Sequence, residues 1–188
     1  KKGAYEEIWH SFKEKKASVL IGTQMIAKGL DFPNVTLVGV IAADIALHLP
    51  DFRAGERTFQ LLTQVAGRAG RGDKEGRVII QTYTPWHYSI QAAAAHDYIR
   101  FTQEEFKRRK LLFYPPFAEI ILISCSSPRE QEARQAAEGL RKKLVDAGLP
   151  LAGQGKEELL GPSPAPLNRI KGRFRYHLLY KGFNLGRY

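Results

Sequence analysis

The sequence predicts an α/β fold with a parallel sheet for its first part, then a helical connector, then an α+β domain. Three observations carry this. Short apolar runs rich in β-branched residues alternate with helical patterns as far as Thr84, the signature of strands buried on both faces of a parallel sheet. The pattern is then helical only, until Tyr114-Pro-Pro-Phe117 stops it. Beyond the prolines come a strand, a helix and two more strand-like runs. The boundaries that follow are residues 1–84, 85–116 and 117–188, the last expected to lack the helix that would cover its sheet.

Each element has its own reason. Residues 4–16 place Tyr5, Ile8, Trp9 and Phe12 at helical spacing, with lysines at the end where a helix favours cations. Ser18–Ile21 and Val35–Ile41 are the first two expected strands, and Arg77–Thr82 is the third, after the turn Gly72–Gly76. Between them a helix is expected from about Glu56 to Arg68. Thr84 followed by Pro85 suits an N-cap and first helical residue, opening a helix through Ala95. Asp97 is the expected cap of the next helix, which ends in Lys107-Arg-Arg-Lys-Leu-Leu112. Two prolines then remove donors and bias their predecessors away from helix.

In the last domain, Ala118–Cys125 reads as a strand. Ser127-Pro-Arg-Glu130 reads as a capping box opening a helix whose apolar stripe is Ala133, Ala136, Ala137, Leu140 and Leu144, closed by Gly148. A short segment around Leu159-Leu-Gly-Pro-Ser-Pro164 precedes the alternating strand Arg173–Tyr180. There Phe174, Tyr176, Leu178 and Tyr180 share one face, and Arg173, Arg175 and His177 the other.

The 188 residues carry a net charge of +10, and residues 168–188 hold six basic residues and no acidic one. That asymmetry favours a polyanionic partner. No apolar run has the length of a membrane span and no signal-peptide pattern opens the chain, so a soluble, cytoplasmic protein is expected. The first residue is Lys1 and the only methionine is Met25, so a natural start upstream is expected. Cys125, in an apolar strand, reads as an inert buried thiol. The histidines have no ligand-like spacing, and no metal site is expected.

Two motifs carry chemistry. Gly22-Thr-Gln-Met-Ile-Ala-Lys-Gly-Leu-Asp-Phe-Pro33 links two expected strands, at the strand end where α/β sheets bind ligands. Gly22 offers a bare amide and Thr23 a hydroxyl, which suit a nucleic-acid phosphate; Gly29 and Asp31 suit ribose hydroxyls. Gln64-Val-Ala-Gly-Arg-Ala-Gly-Arg71 sets Arg68 and Arg71 three positions apart, so on a helix they project from nearly one face. Gly67 and Gly70 strip bulk from beside them, and paired guanidinium forks suit a phosphate group. Taken alone, the first motif also reads as a plain turn and the second as a solvated helix cap.

In this order the two resemble the fifth and sixth motifs of superfamily-two helicases, whose second RecA-like lobe carries them. With Ala43-Asp44, Asp51-Phe-Arg-Ala-Gly-Glu-Arg57 and Thr63–Arg71, the sequence looks like the replication-restart helicases of the primosomal protein N′ family. The resemblance is strong over residues 17–90 and looser through Tyr114-Pro-Pro-Phe117, Leu160–Pro166 and Gly172–Tyr176. It implies part of RecA-like lobe 2 in an ATP-driven DNA translocase moving 3′ to 5′, with primosome proteins and single-stranded-DNA-binding protein as partners. Arg71 would be the arginine finger toward the γ-phosphate, Arg68 and Gln64 would couple nucleotide state to lobe closure, Gly29 and Asp31 would contact the nucleotide, and Thr23 and Gly22 the DNA backbone. Lys28 reads equally well as a solvated lysine.

The departures matter as much. No Gly-x-x-x-x-Gly-Lys-Ser/Thr loop and no acidic box follow, so ATP and magnesium would be held mainly by a first lobe not in this sequence. The family's zinc would likewise bind residues outside it. Half an ATP site is expected, and an inactive ATPase if the chain is taken alone. Arg173 and Arg175, with His177, Arg169 and Lys171, read either as a sequence-independent DNA surface or as a solvated sheet face. Two other readings stay open: another superfamily-two motor of the RecG kind, and a non-catalytic DNA- or partner-binding module.

Overall fold

The computed structural model describes residues 2–23, 35–67, 69, 75–151 and 157–183. It forms two compact units: residues 1–48 with 53–101, and residues 49–52 with 102–188.

The first unit contains α1 (Lys2–Lys13), β1 (Leu37–Val40), a 3₁₀ turn (Ala43–His48), α2 (Ala54–Ala66), β2 (Arg77–Ile80), α3 (Tyr88–Ala94) and the start of α4 (Tyr98–Leu111). β1 and β2 pair in parallel, Leu37 opposite Arg77 and Val40 opposite Ile80. The parallel α/β architecture is therefore as the sequence predicts. Its core gathers Ala43, Phe59, Leu62, Ile90, Ala92, Ala93 and Phe101. Phe59 stacks on Phe101 with ring centroids 4.2 Å apart, and Leu62 is 1% exposed. Burying such a leucine contributes about 1.5 to 3 kcal/mol. Gly55 lets α3 approach α2, since a Cβ there would collide with the Tyr88 hydroxyl.

Two expectations fail here for identifiable reasons. Ser18–Ile21 forms no strand: Val19 is 71% and Ile21 87% exposed, and no described strand pairs with this run. Apolar β-branched composition makes a strand only when a neighbour completes the ladder. Thr84 does not cap the third helix, because its hydroxyl is turned to Asp44. The helix starts later, at Tyr88, with His87 Nδ1 accepting from the Ser89 N–H at 3.3 Å. Asp97 does cap α4, its Oδ1 accepting from the Arg100 N–H at 2.9 Å.

The second unit holds the rest of α4, β3 (Glu119–Ser127), α5 (Glu130–Asp146), β4 (Glu158–Ile170) and β5 (Arg173–Gly182). The antiparallel sheet has the order β3-β5-β4. One face packs on α5, where Ala133 and Ala137 meet Tyr176, Cys125 and Phe174. Cys125 is half-buried. β4 is far longer than the short segment expected. Pro162, Pro164 and Pro166 argue against a strand, yet β4 is the edge of its sheet, pairing with β5 and, at Leu159 alone among the described residues, bridging to Leu151, so that missing donors along the proline stretch are tolerated. Its register shifts between Leu160 and Ser163 and again between Pro164 and Arg169. Gly161 has φ +95°, and a Cβ there would meet the His177 carbonyl oxygen at 2.6 Å, so only glycine fits this bend.

The capping box is displaced by two residues. The N-cap of α5 is Arg129 and the third helical residue is Glu132. Ser127 Oγ accepts from the Arg129 N–H at 3.2 Å and donates to Glu132 at 2.7 Å, and that bond is the main reason the Glu132 carboxyl is held below its ordinary range. Glu130, the expected box partner, instead receives the Tyr176 hydroxyl at 3.2 Å.

Candidate nucleotide and nucleic-acid site

α2 turns Phe59, Leu62 and Val65 into the core, which leaves Gln64 exposed near the helix end. The helix closes at Ala66, short of the expected Arg68, with the Gly67 N–H donating to the Thr63 carbonyl at 3.1 Å. Arg68 and Arg71 lie outside the described residues, as do Lys28, Gly29 and Asp31. Gly22 and Thr23 are described, exposed and without regular structure. Of the expected nucleotide-facing groups, the structure therefore positions Gln64.

At the carboxyl end of the parallel strands stands a residue to which sequence reasoning gave no role. Asp44 is 2% exposed. It accepts the Thr82 hydroxyl, the Thr84 hydroxyl at 2.6 Å, the Tyr83 N–H at 2.9 Å and the Thr84 N–H at 3.2 Å. The threonine hydroxyls, first that of Thr82, hold its carboxyl well below the usual range. Beside it, the Ala42 N–H donates to Gln81 Oε1 at 2.7 Å, with Ala42 at φ 53°. The connections leaving β1 and β2 are thus stitched together by side chains. The signal was readable: an aspartate just after an apolar strand, and two threonines bracketing Tyr83 just after another.

On β5, Arg173, Arg175 and His177 share the sheet face opposite α5, because Phe174 and Tyr176 face the helix. Arg175 Nη2 lies 3.4 Å from His177 Nε2. Burial, and then the Arg175 charge, push the His177 pKa down. Arg173 Nη2 donates to the Ser126 carbonyl at 2.8 Å. Two basic residues do not join this face. Arg169 pairs directly with Phe174 and lies over its ring at 4.9 Å, on the helix side. Lys181 is buried, paired with Glu158 and donating to the Leu112 carbonyl at 3.2 Å.

Among the described residues no helix is long and apolar enough to cross a membrane, and no group of three His, Cys, Asp or Glu could hold a metal ion.

Comparison with known proteins agrees with this layout. The helicase conserved C-terminal domain matches residues 1–73, and the primosomal protein N C-terminal domain matches residues 110–186. A helicase C-terminal lobe followed by a primosomal domain is the class that fold and matches define. Replication restart protein PriA of Bacillus subtilis is 52% identical over 182 residues, covering 96% of this chain and 22% of that protein. The PriA of Synechocystis is 45% identical over 181 residues, 96% of this chain and 21% of its own; that of Borreliella burgdorferi is 42% identical over 171 residues, 91% and 25%. The chain belongs to the replication restart protein PriA family, and it spans about a fifth to a quarter of the length of these relatives.

Proposed function

We propose that this chain serves as part of an ATP-dependent helicase that moves 3′ to 5′ on DNA, restarts stalled forks and assembles the primosome in the cytoplasm. The observation that carries the reading is the succession, on one chain, of a helicase C-terminal match and a primosomal C-terminal match. Arg71 acts as the arginine finger on the γ-phosphate, with Arg68 and Gln64 coupling nucleotide state to lobe closure. Gly29 and Asp31 contact the nucleotide, and Gly22 and Thr23 the DNA backbone. ATP supplies the driving free energy; it and its magnesium are held mainly by a first lobe, and zinc by residues outside this chain. Arg173 and Arg175 add sequence-independent contacts to DNA phosphates. Single-stranded-DNA-binding protein and primosome proteins are the protein partners.

The domain division proposed with it is lobe 2 over 1–84, connector over 85–116 and C-terminal domain over 117–188. Because the sequence has no phosphate-binding loop, the chain alone does not turn over ATP. The test is unwinding of a forked duplex by the full-length protein. ATP-dependent strand separation is expected when a 3′ single strand is available, and unwinding without ATP, or only from a 5′ strand, would overturn the reading.

A further inference from the structure

Within the second unit, the sheet face turned away from α5 changes character along β5. Ser126 stands opposite Arg175, and His177 stands between Ser124 on β3 and Ser163 on β4. Two positions on, Leu179 stands between Leu122 and Leu160; beyond this leucine band Lys181 is opposite Glu158 and paired with it. The three serines are exposed, and Arg175 and His177 are half-buried. At the His177 end, the described residues of this face therefore offer guanidinium, imidazole and hydroxyl groups and no carboxylate. α5 packs on the other face, where Glu130 takes the Tyr176 hydroxyl.

Arg175 Nη2 lies 3.4 Å from His177 Nε2. A guanidinium N–H can only donate, so this ring nitrogen is the acceptor and the ring is neutral, with its proton on Nδ1. Burial and the Arg175 charge favour the same state. Arg173, the other cation on this face, is turned to β3, where it donates to the Ser126 carbonyl. The backbone beneath is fixed: β5 is the central strand, and Gly161 of β4 leaves no room for a side chain at the His177 carbonyl. A phosphate oxygen is a better acceptor for Arg175 than a neutral ring, because its bond to the guanidinium is charge-assisted on both sides. An anion that takes Arg175 leaves Nε2 without its donor and beside a negative charge, and both changes favour a proton there. The charged ring then donates to the anion as well, and the Ser124 hydroxyl opposite is a further donor.

We propose that Arg175, His177 and Ser124 form a seat for one DNA phosphate, in which the phosphate replaces His177 as the acceptor of Arg175 and the ring takes up one proton from solvent. DNA binding by this unit is thereby coupled to pH. The seat deepens the DNA-binding reading above and rests on it. The sign follows from linkage: the bound state favours the protonated ring, so the added affinity is fully present below the ring's pKa in the free protein and is lost as pH rises through its pKa in the complex.

The test measures affinity of the full-length protein for a single-stranded oligonucleotide by fluorescence anisotropy at constant ionic strength, from about pH 8 to about pH 5.5, the range in which a histidine titrates. The parent is compared with His177→Gln, which keeps hydrogen bonding and cannot take the charge. Over that range the parent is expected to gain about 10-fold more affinity than the variant, the equivalent of a ring pKa raised by about one unit on binding. Parallel profiles would overturn the seat. Should His177→Gln fail to fold, calorimetric titration of the unmodified protein near about pH 6.5, in two buffers of different ionisation enthalpy, decides: net proton uptake on binding the oligonucleotide supports the seat, and none contradicts it. The functional reading fails separately. Proton-coupled binding by a protein that unwinds nothing with ATP keeps the seat and removes the helicase, whereas unwinding with parallel pH profiles does the reverse. A parent that binds no oligonucleotide overturns both.

Discussion

Asp44 receives two hydroxyls and two backbone amides, all from Thr82, Tyr83 and Thr84. Replacing it with alanine would take this acceptor from the two hydroxyls and the Tyr83 N–H in a buried place, where the cost of an unmade hydrogen bond is greatest, while the Thr84 N–H keeps Thr82 Oγ1. Its pH behaviour follows from the direction of its shift. The folded-state pKa is depressed, so the stability it contributes is fully present above the unfolded value, roughly pH 4, and is lost as pH falls toward the folded value. Asp44→Asn is therefore expected to melt lower than the parent at neutral pH, with the gap narrowing as pH falls below about 4. Thermal melts of the two proteins across that range check this, and a constant gap would show that the ionised carboxylate is not what matters. At this scale the sequence was a partial guide. Composition marks Lys181 as one more surface cation, but whether a lysine is solvated or paired with Glu158 depends on a strand partner that local sequence does not specify.

β5 joins the fold and the proposed function most directly among the elements. It is the central strand of its sheet, so its alternation is enforced on both sides and was legible: Arg173, Arg175 and His177 do stand opposite α5. His177 has a lowered pKa and is neutral near pH 7, which leaves Arg173 and Arg175 as the cations of this trio. In salt titrations of DNA binding by fluorescence anisotropy, Arg173→Ala/Arg175→Ala is expected to lower the slope of log K against log salt by about 1.4 to 1.8, or 0.7 to 0.9 per phosphate contact. A double variant that titrates like the parent would make this strand a solvated face. Elements that depend on neighbours were harder to read. β4 hides behind its prolines because an edge strand needs donors on one side only. Ser18–Ile21 has strand composition without a described ladder partner. The helices, whose hydrogen bonds are internal, lie within a few residues of the expected bounds; α1 and α2 start two residues earlier than expected, and the starts of α3 and α5 move later because Thr84 and Ser127 have other partners.

At the scale of the whole molecule, the order of parts is what the sequence declared best: parallel α/β, helices, a proline break, then α+β. The two motifs were read by resemblance, since side-chain chemistry of their kind is consistent with a plain turn or a solvated helix cap until the rest of the lobe is recognised. The central claim is that the end of α2 serves the nucleotide and not the DNA. It is tested most directly by ATP turnover and DNA affinity of the full-length protein carrying Arg71→Ala. Removing an arginine finger lowers phosphoryl-transfer rates by on the order of 10³ to 10⁵, or about 4 to 7 kcal/mol of barrier, and lysine should not rescue it because a point charge lacks the planar fork. The account predicts that turnover is lost to that extent while DNA affinity stays nearly intact; loss of DNA binding with DNA-independent hydrolysis retained would contradict it.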